Sequence, residues 1–240
     1  LKRENVFIGN GSDELLAFCF PAFFEPEGKP ILFADITYSF YPVYAEFFRT
    51  PYKLITVDDD FNVPLEGYFQ ENGGILIANP NAPTGKGLPP DDIAKILKKN
   101  EESVVIVDEA YIDFGGVSAF GLISRYPNLL IIRTLSKSHS LAGLRVGFAM
   151  GSPGLIEGII RVKDSINSYT VDRLAQAGAR EAIRDESYFQ ETRAKIMKTR
   201  ERVSARLQAM GFRVIPSQAN FIFISHAELH GRKLFQRLRE

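Results

Sequence analysis

The sequence holds a single cysteine, Cys19, so no internal disulfide can form and a reducing compartment suits it. Lysine plus arginine number 29 and aspartate plus glutamate 29, which leaves a formal net charge of zero. Such a chain lacks the basic field by which proteins gather nucleic acid or anionic membranes. No apolar run approaches the ~18 residues of a membrane span, and the opening Leu1–Asn5 carries no signal-peptide core. Repeats and low-complexity segments are absent as well. What remains is an ordinary globular composition, 45% apolar and 24% charged, which argues against collagenous, coiled-coil and disordered classes. We expect a cytoplasmic protein that binds neither nucleic acid nor membrane. The chain opens on Leu1 and stops at Glu240 inside a charged helical stretch, so both ends of a longer protein are expected to lie beyond it.

Through the first two-thirds, short β-rich runs alternate with helical patterns. Strands are expected at Val6–Gly9, Ile31–Ala34, Lys53–Val57, Ile75–Ala78, Val104–Val107, Leu129–Arg133 and Val146–Met150. Several are near-continuous Val/Ile/Leu runs, the mark of strands covered on both faces. Helices are expected at Ser12–Phe24, Phe40–Phe48, Leu65–Gln70, Pro89–Lys99 and Ala119–Arg125. This is the α/β pattern of a mostly parallel sheet flanked by helices. From Pro153 onward longer helices take over, at Pro153–Lys163, Val171–Arg184 and Glu186–Met210. Two short strands, Phe212–Ile215 and Ala219–Ile224, and a final helix at His226–Arg239 follow. We divide the chain into a large domain, 1–190, and a linking helix with the beginning of a smaller, incomplete α+β domain, 191–240.

Four local patterns carry chemistry. In Arg133-Thr134-Leu135-Ser136-Lys137, continuing to Arg145-Val146-Gly147, a strand ends in hydroxyls, a lysine follows, and eight residues later comes an arginine near glycines. A lysine alone is normally a solvated charge. At a strand end beside hydroxyls and arginine, Lys137 can carry a carbonyl cofactor as a Schiff base while its neighbours hold a phosphate. The run Val104 to Val107 ends in Asp108, with Tyr111 three residues on. Carboxylates at strand C-termini of α/β sheets face the ligand crevice, although a helix cap is the bland alternative. Asn79-Pro80-Asn81-Ala82-Pro83-Thr84-Gly85 is a rigid turn that pins an amide side chain. Gly9-Asn10-Gly11-Ser12-Asp13-Glu14 joins a strand to a helix; with Glu14 at the final glycine position it is a poor dinucleotide fingerprint, and what survives is a helix N-terminus offering N–H groups to a phosphate.

Taken in order, these motifs resemble the fold-type-I pyridoxal-phosphate aminotransferases of the class-II type, over nearly all 240 residues. The wording around Val107–Phe114 and Leu141–Arg145 is most similar to the histidinol-phosphate branch. The resemblance implies pyridoxal 5'-phosphate as cofactor and transamination between L-histidinol phosphate and 2-oxoglutarate. It implies Lys137 as the cofactor-bearing base, Asp108 as partner of the pyridine nitrogen, and Asn79 and Tyr111 on the phenolic oxygen. Tyr38 would stack on the ring, while Arg145, Ser136, Thr134 and the N–H groups of Ser12 and Asp13 would hold the phosphate. It also implies a homodimer, with substrate-binding arginines after Glu240 and a partner-subunit tyrosine before Leu1; the 240 residues alone would then bind cofactor without efficient transamination. A related threonine-phosphate decarboxylase or another aminotransferase shares the motifs. A non-catalytic effector domain of a transcription regulator is the reading from another class, and it requires a DNA-binding region that this sequence lacks.

Other polar residues are read blandly. His139 is a variable neighbour of the lysine. His226 and His230, at i and i+4 on the expected last helix, have no third metal ligand, and Asp58-Asp59-Asp60 lacks a calcium-loop pattern and reads as a turn. Asn220 belongs to the segment opening the small domain, without a catalytic role. No metal site is expected.

Overall fold

The computed structural model describes residues 1–240. Seven strands form one sheet: β1 (Val6–Gly9), β2 (Ile31–Ala34), β3 (Tyr52–Ile55), β4 (Gly74–Ala78), β5 (Val105–Asp108), β6 (Leu129–Thr134) and β7 (Gly147–Gly151). Their spatial order is β1-β7-β6-β5-β4-β2-β3. Pairs β3/β2, β2/β4, β4/β5 and β5/β6 are parallel, while β7 is antiparallel to both of its neighbours. Six strands therefore share one direction and β7 alone opposes them.

The continuous apolar runs have the cause that their composition implies. Along β2, β4, β5 and β6, alternate residues point to opposite faces, and both faces are buried. Phe33, Leu76, Ile106, Leu130 and Ile132 join a core beneath α1 (Gly11–Phe23), α2 (Phe40–Phe47) and α4 (Pro153–Ile166). Leu32, Ile75, Ile77, Val105, Val107, Leu129 and Ile131 join a second core on the other face, with α3 (Pro90–Lys99). Each such side chain contributes roughly 1.5–3 kcal/mol by leaving water. Helix α3 shows how the local sequence encodes its place. Pro90 starts it, Asp91 and Asp92 occupy its first turn, Lys98 and Lys99 its last, and Ile93, Ile96 and Leu97 are its buried residues.

Past β7 lie α4, α5 (Arg173–Arg184) and the 24-residue α6 (Glu186–Ala209), which has no buried residue. A separate two-stranded sheet, β8 (Arg213–Ile215) with β9 (Phe223–Ser225), and α7 (Gly231–Arg237) complete the chain. Several expectations need correction. Leu65–Gln70 and Ala119–Arg125 form only short 3-10 turns, at Leu65–Tyr68 and Ala119–Leu122. The strand expected from Ala219 begins at Phe223, because Ser217 closes a turn: its hydroxyl donates to Phe221 O at 2.7 Å and accepts from Ala219 N at 3.0 Å. The last helix is shorter than expected. His226 precedes it and His230 caps it, accepting from Arg232 N through Nδ1 at 3.3 Å, so the two imidazoles do not share a helix face. Asp58 accepts from the N–H groups of Asp60 and Asn62, making the expected turn.

Candidate active site

The sheet's C-terminal edge gathers what the chain distributes. Strands β4, β5 and β6 end there at Ala78, Asp108 and Thr134, and α1 starts there after β1. Because β7 runs against the others, its N-terminal end reaches the same edge, which is why Arg145, two residues before it, joins residues placed by strand C-termini. One crevice is lined by Ser12, Asp13, Tyr38, Asp108, Tyr111, Thr134, Ser136, Lys137 and Arg145, with Ala78, Pro80, Ala82 and Ala110 filling the wall.

The floor is Asp108, 7% exposed. Its Oδ1 accepts from Ala110 N at 3.1 Å and its Oδ2 from the Tyr41 hydroxyl at 3.3 Å. Burial raises its pKa from 3.8 to about 6, against the opposing pull of those two donors. The strand's alternation separates the acidic pair. Asp108 faces the crevice, whereas the next residue, Glu109, is locked by Arg133 at 2.8 Å, Ser118 at 2.7 Å and Ala119 N at 2.7 Å. Across the crevice Lys137 is exposed, with Nζ 5.2 Å from the centre of the Tyr111 ring. That ring packs perpendicular to the Phe221 ring, with centroids 4.9 Å apart.

The other end is an anion cradle. The first N–H groups of α1 have no intrahelical carbonyl, and the helix dipole favours negative charge there. Arg145 stands over this terminus, its guanidinium 3.1 Å from Asp13 Oδ2, while the Tyr38 hydroxyl donates to Asp13 Oδ1 at 2.9 Å. Gly11 has φ +83°, and a Cβ on it would lie 2.7 Å from the Arg145 guanidinium. At Gly147 a Cβ would come within 2.6 Å of Ser12 N. Glycine at both positions lets backbone and guanidinium close around one small volume. The Ser136 hydroxyl is buried without any hydrogen-bond partner, a polar group that calls for a ligand.

Two expected residues have protein partners of their own. Asn79 is not on the crevice wall. Its Oδ1 accepts from Leu88 N at 2.8 Å and its Nδ2 donates to Leu88 O at 3.1 Å, so its amide clasps the chain nine residues on and keeps one N–H of Nδ2 unengaged. Thr134 lines the crevice, yet its hydroxyl proton is directed at Val146 O at 3.3 Å and its oxygen accepts from Ser136 N at 3.1 Å. It shapes the turn before Lys137. Two residues escaped the sequence reading. Tyr41 reaches Asp108 from α2, and Ser138, 3% exposed, donates to Asp113 Oδ2 at 2.6 Å, tying the lysine loop to the segment that carries Tyr111. The hydroxyls flanking Lys137 were a visible signal for the second; nothing local marked the first. His139 stacks on Phe189 at 4.5 Å, and burial lowers its pKa.

An amine, a buried carboxylate and an anion cradle in one crevice match a known family. The profile of aminotransferase class I and II fits residues 1–240. This chain belongs to that family. It is 58% identical over 240 residues to histidinol-phosphate aminotransferase of Clostridium acetobutylicum, covering all of this chain and 68% of that protein. It is 52% identical to histidinol-phosphate aminotransferase 1 of Oceanobacillus iheyensis, with the same coverage. Among solved structures, the histidinol-phosphate aminotransferase of Sinorhizobium meliloti in complex with pyridoxal-5'-phosphate superposes with a TM-score of 0.85 at 25% identity, over 94% of this chain and 62% of that one. The chain thus spans about two thirds of the length of these family members, and its mixed sheet with flanking helices is the fold-type-I arrangement of aminotransferases.

Proposed function

We propose that this chain is the cofactor-binding part of an enzyme that uses pyridoxal 5'-phosphate to transfer the amino group of L-histidinol phosphate to 2-oxoglutarate. The observation that carries this reading is the convergence of Lys137, Asp108, Tyr111, Ser136 and Arg145 on one crevice at the sheet edge. The donor set fits the cofactor: an unpartnered hydroxyl, a guanidinium and a helix N-terminus for a phosphate, and a buried carboxylate for a ring N–H⁺. When bound, pyridoxal phosphate supplies a carbonyl for amines and a protonated ring that takes up the electron pair released at the substrate's Cα.

The chain's own residues do the rest. Lys137 would hold the cofactor's carbonyl through its amine and would carry the proton taken from the substrate's Cα. Asp108 keeps the ring nitrogen protonated. Tyr111 donates to the phenolic oxygen, and the Tyr38 ring covers one face of the cofactor. Arg145, Ser136 and the N–H groups of Ser12 and Asp13 hold the phosphate; for this, Arg145 exchanges its contact with the Asp13 carboxylate for phosphate oxygens. We assign residues 1–190 to the cofactor-binding domain and 191–240 to the linking helix and the beginning of the small domain.

The direct test adds histidinol phosphate, without an oxo acid, to the cofactor-loaded protein. The visible absorbance of lysine-linked cofactor should be lost, and 2-oxoglutarate should restore it with release of glutamate. Bleaching by another amine but not by this one would remove the histidinol-phosphate reading. Release of carbon dioxide instead of amino transfer would favour a decarboxylase.

We further propose a cytoplasmic homodimer. On α2, next to the crevice, Phe40, Val43 and Phe47 leave an exposed apolar stripe at i, i+3 and i+7, which a second copy would cover. Light scattering should give twice the chain mass, and Phe47→Asp should shift the protein toward monomer. A wild-type monomer would refute the dimer.

A further inference from the structure

The proposed role of Asp108 leaves a physical problem open. A carboxylate this deeply buried tends to take up a proton, and a neutral acid is a poor partner for a ring N–H⁺. One of its oxygens has a local donor, Ala110 N, two residues away. The other depends on a residue 67 positions distant in sequence, Tyr41. Tyr41 is completely buried in α2, its ring packed edge-on against Tyr38 at 5.6 Å and Phe33 at 5.8 Å. For packing alone a phenylalanine would serve there, and the same stretch of chain uses Phe40, Phe47 and Phe48. A buried hydroxyl costs free energy unless it is hydrogen-bonded, and that of Tyr41 has one hydrogen bond, to Asp108 Oδ2.

The segment leading into α2 adds a second observation. Tyr38 and Tyr41 lie three residues apart; the first lines the crevice and the second passes beneath it. One short segment thus presents a ring to the crevice and a hydroxyl to the floor. Resting on the assignment of Asp108 to the cofactor's ring nitrogen, we propose that Tyr41 is a positioning residue: its hydroxyl orients the Asp108 carboxylate and holds it as the anion that pairs with the ring N–H⁺. Both Asp108 oxygens then have fixed donors inside the protein, and the carboxylate cannot swing away from the crevice.

The test compares dissociation constants for pyridoxal 5'-phosphate and its 1-deaza analogue, which has C–H in place of the ring nitrogen, in the intact protein containing this chain. Wild type should prefer the natural cofactor. Tyr41→Phe should weaken the natural cofactor by about tenfold, the loss of one hydrogen bond to a charged group, and leave the analogue within twofold, so the preference collapses. In the Asp108→Asn background the same substitution should have no further effect on the preference. If wild type itself shows no preference, the assignment of Asp108 fails, and this inference with it. If wild type discriminates but Tyr41→Phe keeps the ratio, or weakens both ligands equally, Tyr41 is only packing and the inference is wrong. Should Tyr41→Phe fold poorly, Tyr41→Met supplies the same comparison of ratios, with the same deciding outcomes.

Discussion

Lys137→Ala is expected to lower amino transfer by roughly 10⁴-fold or more, since the substitution removes both the amine that bonds the cofactor and the base that moves the Cα proton. The effect should be chemical rather than structural. Lys137 is exposed and makes no hydrogen bond in the crevice, so the fold should lose no more than about 0.5 kcal/mol. Binding of pyridoxal phosphate should persist through Arg145, Ser136 and Asp108. The readout is mass spectrometry after borohydride reduction. Wild type should gain one cofactor mass on the peptide carrying Lys137, and the variant none. Equal labelling of both proteins would show that another amine carries the cofactor.

Asp108→Asn is expected to lower activity by about 10³-fold, the scale of losing one charged group aimed at the reacting system. It should also do something unusual for an active-site substitution, which is to stabilise the cofactor-free protein at neutral pH. Burial raises the Asp108 pKa from 3.8 to about 6. The sign follows from linkage: an acid whose pKa is higher in the folded state leaves stability intact while both states are protonated, below about pH 4. That stability is lost progressively from about pH 4 and is gone once the pH has risen through about 6. A shift of this size corresponds to roughly 3 kcal/mol at pH 8. Asparagine resembles the protonated acid and escapes the loss, so wild type and variant should melt together near pH 4 and diverge between about pH 4 and 6, the variant staying higher by several degrees above that. Saturating cofactor should narrow the gap in wild type by giving the carboxylate its cationic partner. Parallel melting curves from pH 4 to 8 would show that Asp108 is not strained by burial.

The two substitutions probe opposite kinds of placement. Lys137 stands in solvent at the mouth of the crevice; Asp108 is held out of water at its floor. Neither property belongs to the residue type. The strand run from Val104 to Asp108 could be recognised from composition, and with it the fact that an acid terminates a buried strand. That Asp108 and not Glu109 faces the crevice follows from the alternation of a pleated strand, but only once the covered faces are known. Glu109 shows the contrast, being consumed by Arg133, Ser118 and Ala119.

Asn79 separates what turn chemistry supplies from what the rest of the fold supplies. The rigid turn was correctly taken to pin an amide. The direction in which it is pinned depends on Leu88, whose N–H and carbonyl each take one hydrogen bond with the Asn79 side chain. Short-range turn chemistry cannot announce a partner nine residues away on a loop that itself needs the sheet for its path. Thr134 is similar, a hydroxyl at the crevice edge that also meets the backbone of Val146.

By itself the sequence determined the alternation of buried strands and helices, the order of the cofactor motifs, and the chemical groups offered at the strand ends, because these depend on periodicity and on residues adjacent in the chain. Tertiary structure alone decided which of those groups meet. The reversed direction of β7 brings Arg145 to an edge that parallel strands would have denied it, close glycine contacts draw it over α1, and the packing of α2 passes the Tyr41 hydroxyl under Asp108. The physical reason is that a hydrogen bond or an ion pair depends on distance and direction in space, and strand pairing and packing set both between residues that the chain keeps far apart.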